Sequence, residues 1–190
     1  MSSGEKLVAG IIVSQRTNKT RSGVMYSLMI DDGTDQLELT VFEDVFENYR
    51  DCFKEDELLI AKVQTKVQPA NENFSGSIRH IVQAGMNIAM ARLRYAQSIH
   101  FAMTTQVNIR QLNEKSEKFF HQVQTLAPIG GKKLNDGLRM TAELTSTTGV
   151  CELEFPQNWR LYPDDTNIQV FNNLLHQVGV RSNLKIIYTN

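Results

Sequence analysis

Four consecutive segments within residues 5–53 constrain this chain more than anything else in it: three β-type stretches, then at once an amphipathic helical one. Apolar alternation through Leu7, Ala9, Ile11 and Val13 marks the apolar face of a first strand. The basic stretch Arg16-Thr17-Asn18-Lys19-Thr20-Arg21-Ser22-Gly23 reads as a hairpin leading into a second strand over residues 24–30. That strand ends in the turn Asp31-Asp32-Gly33-Thr34, and a third strand over residues 36–42 runs into the helical segment 44–53. Residues 57–67 and 76–83 supply two further strands, with Pro69-Ala70-Asn71-Glu72-Asn73 as the loop between them and Gly85 closing the set. Three meandering strands, a helix and two more strands is the order of an OB-fold, an all-β barrel whose second and third strands and flanking loops commonly grip oligonucleotides.

The charge balance qualifies that expectation. A net charge of −1 over 190 residues argues against a dedicated, high-affinity DNA binder. The distribution is uneven, however. Arg16, Lys19 and Arg21 stand together without an acid, and Lys62, Lys66 and Arg79 face Glu72 alone. The acids gather in Glu43, Asp44, Glu47, Asp51, Glu55, Asp56 and Glu57, on and after the helix expected to cap the barrel bottom. The two basic sets are either solvated loops or the flanks of a binding face making modest, salt-sensitive phosphate contacts. With Leu28 and Ile30 inward, Met25, Ser27 and Met29 turn outward and offer no aromatic platform, which leaves Phe42 and Phe74 as the nearby stacking candidates. Candidate nucleic-acid-binding residues are therefore Arg16, Lys19, Arg21, Phe42, Lys66, Phe74 and Arg79.

Residues 86–97 read as a helix rich in Ala, Met, Leu and Arg that links the barrel to a second domain. The rest follows another grammar: a strand over 98–103, a helix over 108–126, strands over 138–144 and 150–155, a helix opening at Pro163-Asp164-Asp165 and ended by Gly179, and a strand over 184–188. This βαββαβ order predicts a small α+β domain. The expected organisation is residues 5–84 for the barrel, 85–96 for the linker helix and 97–190 for the α+β domain.

The chain carries no pattern expected of catalysis. Metal-assisted phosphoryl chemistry needs convergent carboxylates, and the conspicuous pair Asp31-Asp32 sits in a turn that favours aspartate for its own reasons. His80, His100, His121 and His176 have no metal spacing and no partnered nucleophile, and Gly130-Gly131-Lys132-Lys133 lacks the strand-to-helix context of a phosphate loop. Cys52 and Cys151 lie far apart, so neither zinc nor a disulfide is expected, and the reducing cytoplasm is the default compartment. No apolar run is long enough to form a membrane-spanning helix, and Met1-Ser2-Ser3-Gly4 lacks the features of a signal peptide. No catalytic residue, metal or cofactor is assigned.

Laid end to end, the chain resembles the C-terminal region of the alpha subunit of bacterial replicative DNA polymerase III. The resemblance rests on Val8-Ala9-Gly10-Ile11-Ile12-Val13, Ile30-Asp31-Asp32-Gly33 and Leu37-Glu38-Leu39-Thr40-Val41-Phe42, with Tyr49 in the helix that follows. Ala91-Arg92-Leu93-Arg94-Tyr95-Ala96 resembles the family's linker helix, and Trp159-Arg160-Leu161-Tyr162-Pro163-Asp164-Asp165 its late Trp-Arg-x-x-Pro segment. The resemblance implies a barrel that engages single-stranded template DNA and a tail domain that docks to the tau subunit of the clamp loader. Polymerase and phosphoesterase carboxylates belong to parts of that protein outside this chain, so no enzyme activity is expected here. The family's tail ends in a sliding-clamp peptide, Gln-x-x-Leu-x-Phe. The equivalent stretch Asn183-Leu184-Lys185-Ile186-Ile187-Tyr188 has Asn for Gln and Tyr for Phe, so the clamp is a further candidate partner and an ordinary final strand is the alternative.

Near-neutral charge beyond Tyr95, nine Lys plus Arg against eight Asp plus Glu, suits a protein partner. The candidate docking residues are Trp159, Arg160, Tyr162, Leu184, Ile187 and Tyr188, with the loop 129–134 beside them; the alternative, Trp159 included, is that they complete the domain's own core. A standalone OB-fold module, binding single strands or serving as a scaffold, is the other reading.

Overall fold

The computed structural model describes residues 5–20, 23–68, 76–125 and 137–188, and the chain divides into two units, Met1–Ile88 and Ala89–Asn190. The first is a closed barrel in the order β1-β2-β3-β5-β4. Its strands are β1 (Glu5–Thr20), β2 (Gly23–Asp31), β3 (Gln36–Phe42), β4 (Leu58–Gln68) and β5 (Ser77–Met86), with α1 (Glu43–Asn48) between the third and fourth. All ladders are antiparallel except β3–β5. This is the OB arrangement, and its closure removes the open sheet edges that would otherwise pair with another chain.

β1 serves two partners. From Glu5 to Ile11 it pairs with β4, and from Ile11 to Thr20 with β2. The change of direction falls at an irregularity between Ile12 and Ser14, where a β-bulge lets one strand bend around a barrel. The connection before β4 staples it: Asp56 N donates to Ile12 O at 2.9 Å, Ile12 N to Glu57 O at 3.1 Å, and Gln15 N to Glu55 Oε1 at 3.0 Å.

The barrel core is built from Ile12, Leu28, Ile30, Leu39, Val41, Leu59, Ala61, Val63 and Val82. Burying a side chain such as Ile12 or Leu28 contributes about 1.5–3 kcal/mol relative to leaving it in water. α1 closes the barrel bottom through Phe46, whose ring stacks on Tyr26 at 3.7 Å and on Phe53 at 5.5 Å. The alternation Leu7, Ala9, Ile11 and Val13 is not the core face: all four are exposed, while Gly10 and Ile12 are buried. The seven residues from Leu7 to Val13 are all apolar or glycine, so two phases of a period-two pattern compete, and tertiary packing selects the other one.

The second unit carries a sheet in the order β10-β6-β7-β8. Its strands are β6 (Ala96–Thr104), β7 (Leu138–Thr145), β8 (Val150–Glu154), a two-residue β9 (Arg160–Leu161) paired to β7, and β10 (Lys185–Tyr188). β6 and β7 are parallel, as a crossover through α3 (Ile109–Thr125) permits; the other pairings are antiparallel. α2 (Ile88–Tyr95) precedes β6 and α4 (Asp165–Gln177) precedes β10. Phe101, Phe119, Phe120, Met140, Trp159, Phe171 and Leu175 belong to one buried cluster. α4 is capped by Asp164, whose Oδ1 accepts from Asn167 N at 2.6 Å, and Gly179 (φ 93°) lies just past its end. Arg92 of α2 donates to the Pro163 carbonyl at 2.9 Å and to Asp165 Oδ1 at 2.6 Å.

Candidate nucleic-acid interface

Register partners in an antiparallel ladder share a face, and successive residues alternate between faces. On β2 the buried Leu28 and Ile30 point into the barrel. Met25, Ser27 and Met29 therefore line its outside, as their positions predict. Across the ladders these outward residues meet Asn18, Arg16 and Ser14 of β1, and Phe42, Thr40 and Glu38 of β3. The result is three rows on one surface: Asn18–Met25–Phe42, Arg16–Ser27–Thr40 and Ser14–Met29–Glu38.

The rows differ in chemistry. Phe42 is 44% exposed at the junction of β3 and α1, beside Met25, so the first row offers an apolar platform. The second offers one guanidinium and two hydroxyls. The third holds a carboxylate, Glu38, to which the Ser27 hydroxyl donates a hydrogen bond. Glu43 lies nearby and accepts from Val24 N at 3.2 Å. A face mixing one arginine with carboxylates favours weak attraction for a polyanion.

The expected basic residues are distributed differently from the sequence reading. Arg16 and Lys19 lie on β1 itself and not in a loop, since the ladder continues to Thr20↔Gly23. Three residues apart on a strand, they face opposite ways. Lys66 and Arg79, by contrast, are direct register partners on β4 and β5, both exposed. Neither is ion-paired to a described residue. Lys62 is paired at 2.6 Å with Glu5. Arg21, Phe74 and most of the loop that contains Phe74 lie outside the described residues, as do Gly130-Gly131-Lys132-Lys133 and the loop 129–134.

Sequence reasoning missed one pair. Val67 and Ile78 are register partners, 66% and 64% exposed. A strand's alternation identifies which face such residues occupy, but not how exposed that face is at this end of the ladder.

Asp31 and Asp32 do turn chemistry. Asp31 Oδ1 accepts from Gly33 N at 2.7 Å, and Asp32 Oδ1 accepts from Thr34 Oγ1 at 2.6 Å, Thr34 N at 2.9 Å and Asp35 N at 3.1 Å. The Thr34 hydroxyl, then the backbone amides, hold the Asp32 carboxyl below its ordinary range. Among the described residues no group of three or more His, Cys, Asp or Glu is placed to hold a metal ion.

In the second unit the docking candidates separate into buried and exposed sets. Trp159, read from sequence either as an exposed docking residue or as part of the domain's own core, is 5% exposed and stacks on Phe120 at 5.5 Å and Phe155 at 5.6 Å. It also lines a cleft of about 320 Å³ with Asn113, Glu117 and His121 of α3 and Pro156 and Asn158. Arg160 donates to the Gly137 carbonyl at 3.2 Å, and Tyr162 is half-buried. Leu184 and Ile186 pack against the core, whereas Ile187 and Tyr188 of the end strand β10 are 36% and 52% exposed. No described helix is long and apolar enough to cross a membrane.

No protein-family model matches the chain. It is similar along most of its length to curated DNA polymerase III subunit alpha proteins. The relative from Pasteurella multocida is 26% identical over 173 residues, covering 90% of this chain and 14% of that protein. The one from Escherichia coli K12 is 24% identical over 173 residues, covering 90% of this chain and 13% of that protein. The chain thus spans about one seventh of the length of the relatives it matches. Among solved structures it is similar to the mitochondrial single-stranded DNA binding protein Rim1 of S. cerevisiae (TM-score 0.37, 11% identity, 46% of this chain, 96% of that one). It is also similar to a small single-stranded DNA-binding protein of Streptomyces coelicolor (TM-score 0.32, 14% identity, 46% of this chain, 94% of that one).

Proposed function

We propose, from its similarity to the alpha subunit of bacterial DNA polymerase III, that this chain is a non-catalytic C-terminal-type region of a replicative polymerase, working in the cytoplasm during DNA replication. The barrel binds single-stranded template DNA weakly. The tail domain, residues 97–190 within the second unit, docks to the clamp-loader tau subunit, with the sliding clamp as a further partner of Asn183–Tyr188. The observation that carries the DNA reading is the outer barrel face, where Phe42 lies exposed beside Met25 and Arg16 beside Ser27. Apolar platforms of this kind stack bases, and cations beside them hold phosphates. For the second unit, the support is the end strand β10 with its exposed Ile187 and Tyr188, a surface suited to strand addition or pocket insertion.

The test is fluorescence anisotropy of the full chain with a labelled single-stranded oligonucleotide, across a salt series, together with capture of purified tau. Binding that weakens steeply with salt and with Arg16→Ala, and tau capture reduced by Tyr188→Ala, are the expected results. Salt-independent binding removes the DNA half of the proposal. Capture of tau through residues 5–84 reverses the assignment of roles.

A scaffold reading also has an observation in its favour. Leu7, Ile11, Val13 and Leu58 form an exposed apolar stripe on the outside of β1 and β4, and Ile11 faces Leu58 in register. Contiguous exposed apolar surface marks interaction sites. Undiminished partner capture by a DNA-binding-deficient variant, lost in Ile11→Glu, would favour that reading.

A further inference from the structure

We propose that the outer end of the β4–β5 ladder is a wedge that engages the exposed end of a DNA duplex, so that the barrel prefers a single-strand/double-strand junction to single-stranded DNA. The proposal rests on the single-strand reading above and adds the kind of DNA end that the site selects.

Among the described residues, β4 pairs with β1 only up to Gln64, and β5 pairs with β3 only at His80 and Ile81. Beyond those positions the ladder continues through Thr65↔His80, Lys66↔Arg79, Val67↔Ile78 and Gln68↔Ser77 with neither strand bound to a third. Among the described residues this end of the ladder is two-stranded. Thr65 Oγ1 and His80 Nδ1 lie 3.1 Å apart at its base.

The two faces of this end are unlike. One carries Val67 and Ile78, directly opposite each other and the most exposed large apolar residues described in the chain, at 66% and 64%. The other carries Lys66 and Arg79, also directly opposite each other, neither ion-paired to a described residue. Paired β-branched side chains make a small, stiff, flat apolar surface. A protein partner would need apolar contact on one side and an acidic strip on the other.

A DNA fork supplies both as a matter of course. The last base pair of a duplex presents a flat apolar face, and the departing strand presents its phosphates. Apolar wedges set against unstacked base steps are an established mode of DNA contact, and Ile is among the residues used. With the terminal pair against Val67 and Ile78, the separated strand passes on the Lys66–Arg79 side. The wedge and the cations then act on the two strands separately.

The test uses the full chain and three labelled DNAs at one salt concentration: a single strand, a blunt duplex, and the same duplex with a single-stranded tail of either polarity. The tailed duplex should bind about fivefold or more tightly than the single strand, the lower end of what one stacked base supplies. Val67→Ser combined with Ile78→Ser should abolish that preference and keep single-strand affinity and the melting temperature, because both side chains are already in water. 2-Aminopurine in the terminal pair should change its fluorescence on binding to the wild-type chain and not to the double variant. Equal affinity for tailed duplex and single strand, or a preference that survives the double variant, overturns the wedge and leaves the single-strand reading standing. Failure to bind the single strand overturns the single-strand reading itself, and the wedge with it, whereas equal affinity for blunt and tailed duplex overturns the wedge alone.

Discussion

Gly10 of β1 has no room for a side chain against Asp31 of β2: a Cβ at Gly10 would lie 2.9 Å from the Asp31 carbonyl oxygen and 3.1 Å from its nitrogen. The obstacle is backbone, which cannot turn aside as a flexible side chain can. Gly10→Ala should therefore destabilise the barrel by about 1–3 kcal/mol, the usual cost of overpacking. Urea unfolding followed by circular dichroism measures it, and an unchanged midpoint would contradict the close approach.

The inversion of the β1 faces makes neighbouring isoleucines unequal. Ile12 is fully buried and Ile11 is 40% exposed. Ile12→Ala should cost about 2–5 kcal/mol as a core truncation. Ile11→Ala should stay within about 0.5 kcal/mol, as surface changes do. Equal losses at the two positions would mean that the strand is phased the other way.

For DNA, the expected discrimination is among lysines and arginines. Lys66→Ala and Arg79→Ala should each weaken single-strand binding uniformly across sequences and reduce the salt slope by about one. Lys62→Ala should do less, because Lys62 is already paired with Glu5. Anisotropy titrations at several salt concentrations read the slopes. A larger effect at Lys62 than at Lys66 would move the phosphate path to the other end of β4.

In the second unit, structure and docking can be separated by two aromatic residues. Trp159→Ala removes a ring stacked between Phe120 and Phe155 and should cost about 3–5 kcal/mol. Tyr188→Ala, at a residue 52% exposed on β10, should leave the melting temperature almost unchanged. A tau defect in the tyrosine variant would then be a contact effect, whereas one in the tryptophan variant would first have to be separated from unfolding.

The Asp32 turn should respond to acid. Its carboxyl is held low by the Thr34 hydroxyl first and then by backbone amides. A folded-state value below the unfolded one contributes stability above the unfolded value, and that contribution is lost as pH falls through the folded value. The amide resonances of Thr34 and Asp35 should therefore move in a titration with a midpoint below the ordinary carboxylate range. In Asp32→Asn that movement should disappear; if it persists, another group governs the turn.

How much of this was legible beforehand depended on what neighbours in sequence can reveal. The barrel strands and the α1 position follow from turn residues and alternation, and the Asp164 cap from a carboxylate at the start of an apolar-periodic stretch. The phase of β1 was not legible, because Val8, Gly10 and Ile12 alternate as well as Leu7, Ala9 and Ile11 do. What decides between them is the space beside Asp31, far away in sequence. Arg16 and Lys19 looked like one cluster because proximity in sequence hides the parity of a strand. Trp159 could be read as surface or core from its neighbours alone, because the rings that enclose it come from α3 and from Phe155 just past β8.

β1 is a single 16-residue strand that closes the barrel with its first half and carries Arg16 and Lys19 with its second. The two halves meet at the stapled irregularity beside Ile12. Changes of length in the outer half are not free, because it pairs with the part of β2 that carries Leu28 and Tyr26. Two residues added to each arm of the hairpin would lengthen its reach and keep Arg16 on its present face. A single residue inserted after Gln15 and matched on β2 would turn the arm over, exchanging the faces of Arg16 and Lys19 and taking Tyr26 off the Phe46 ring. Divergence in this hairpin is therefore constrained by parity and not by size, with even steps preserving the surface and odd steps reversing it.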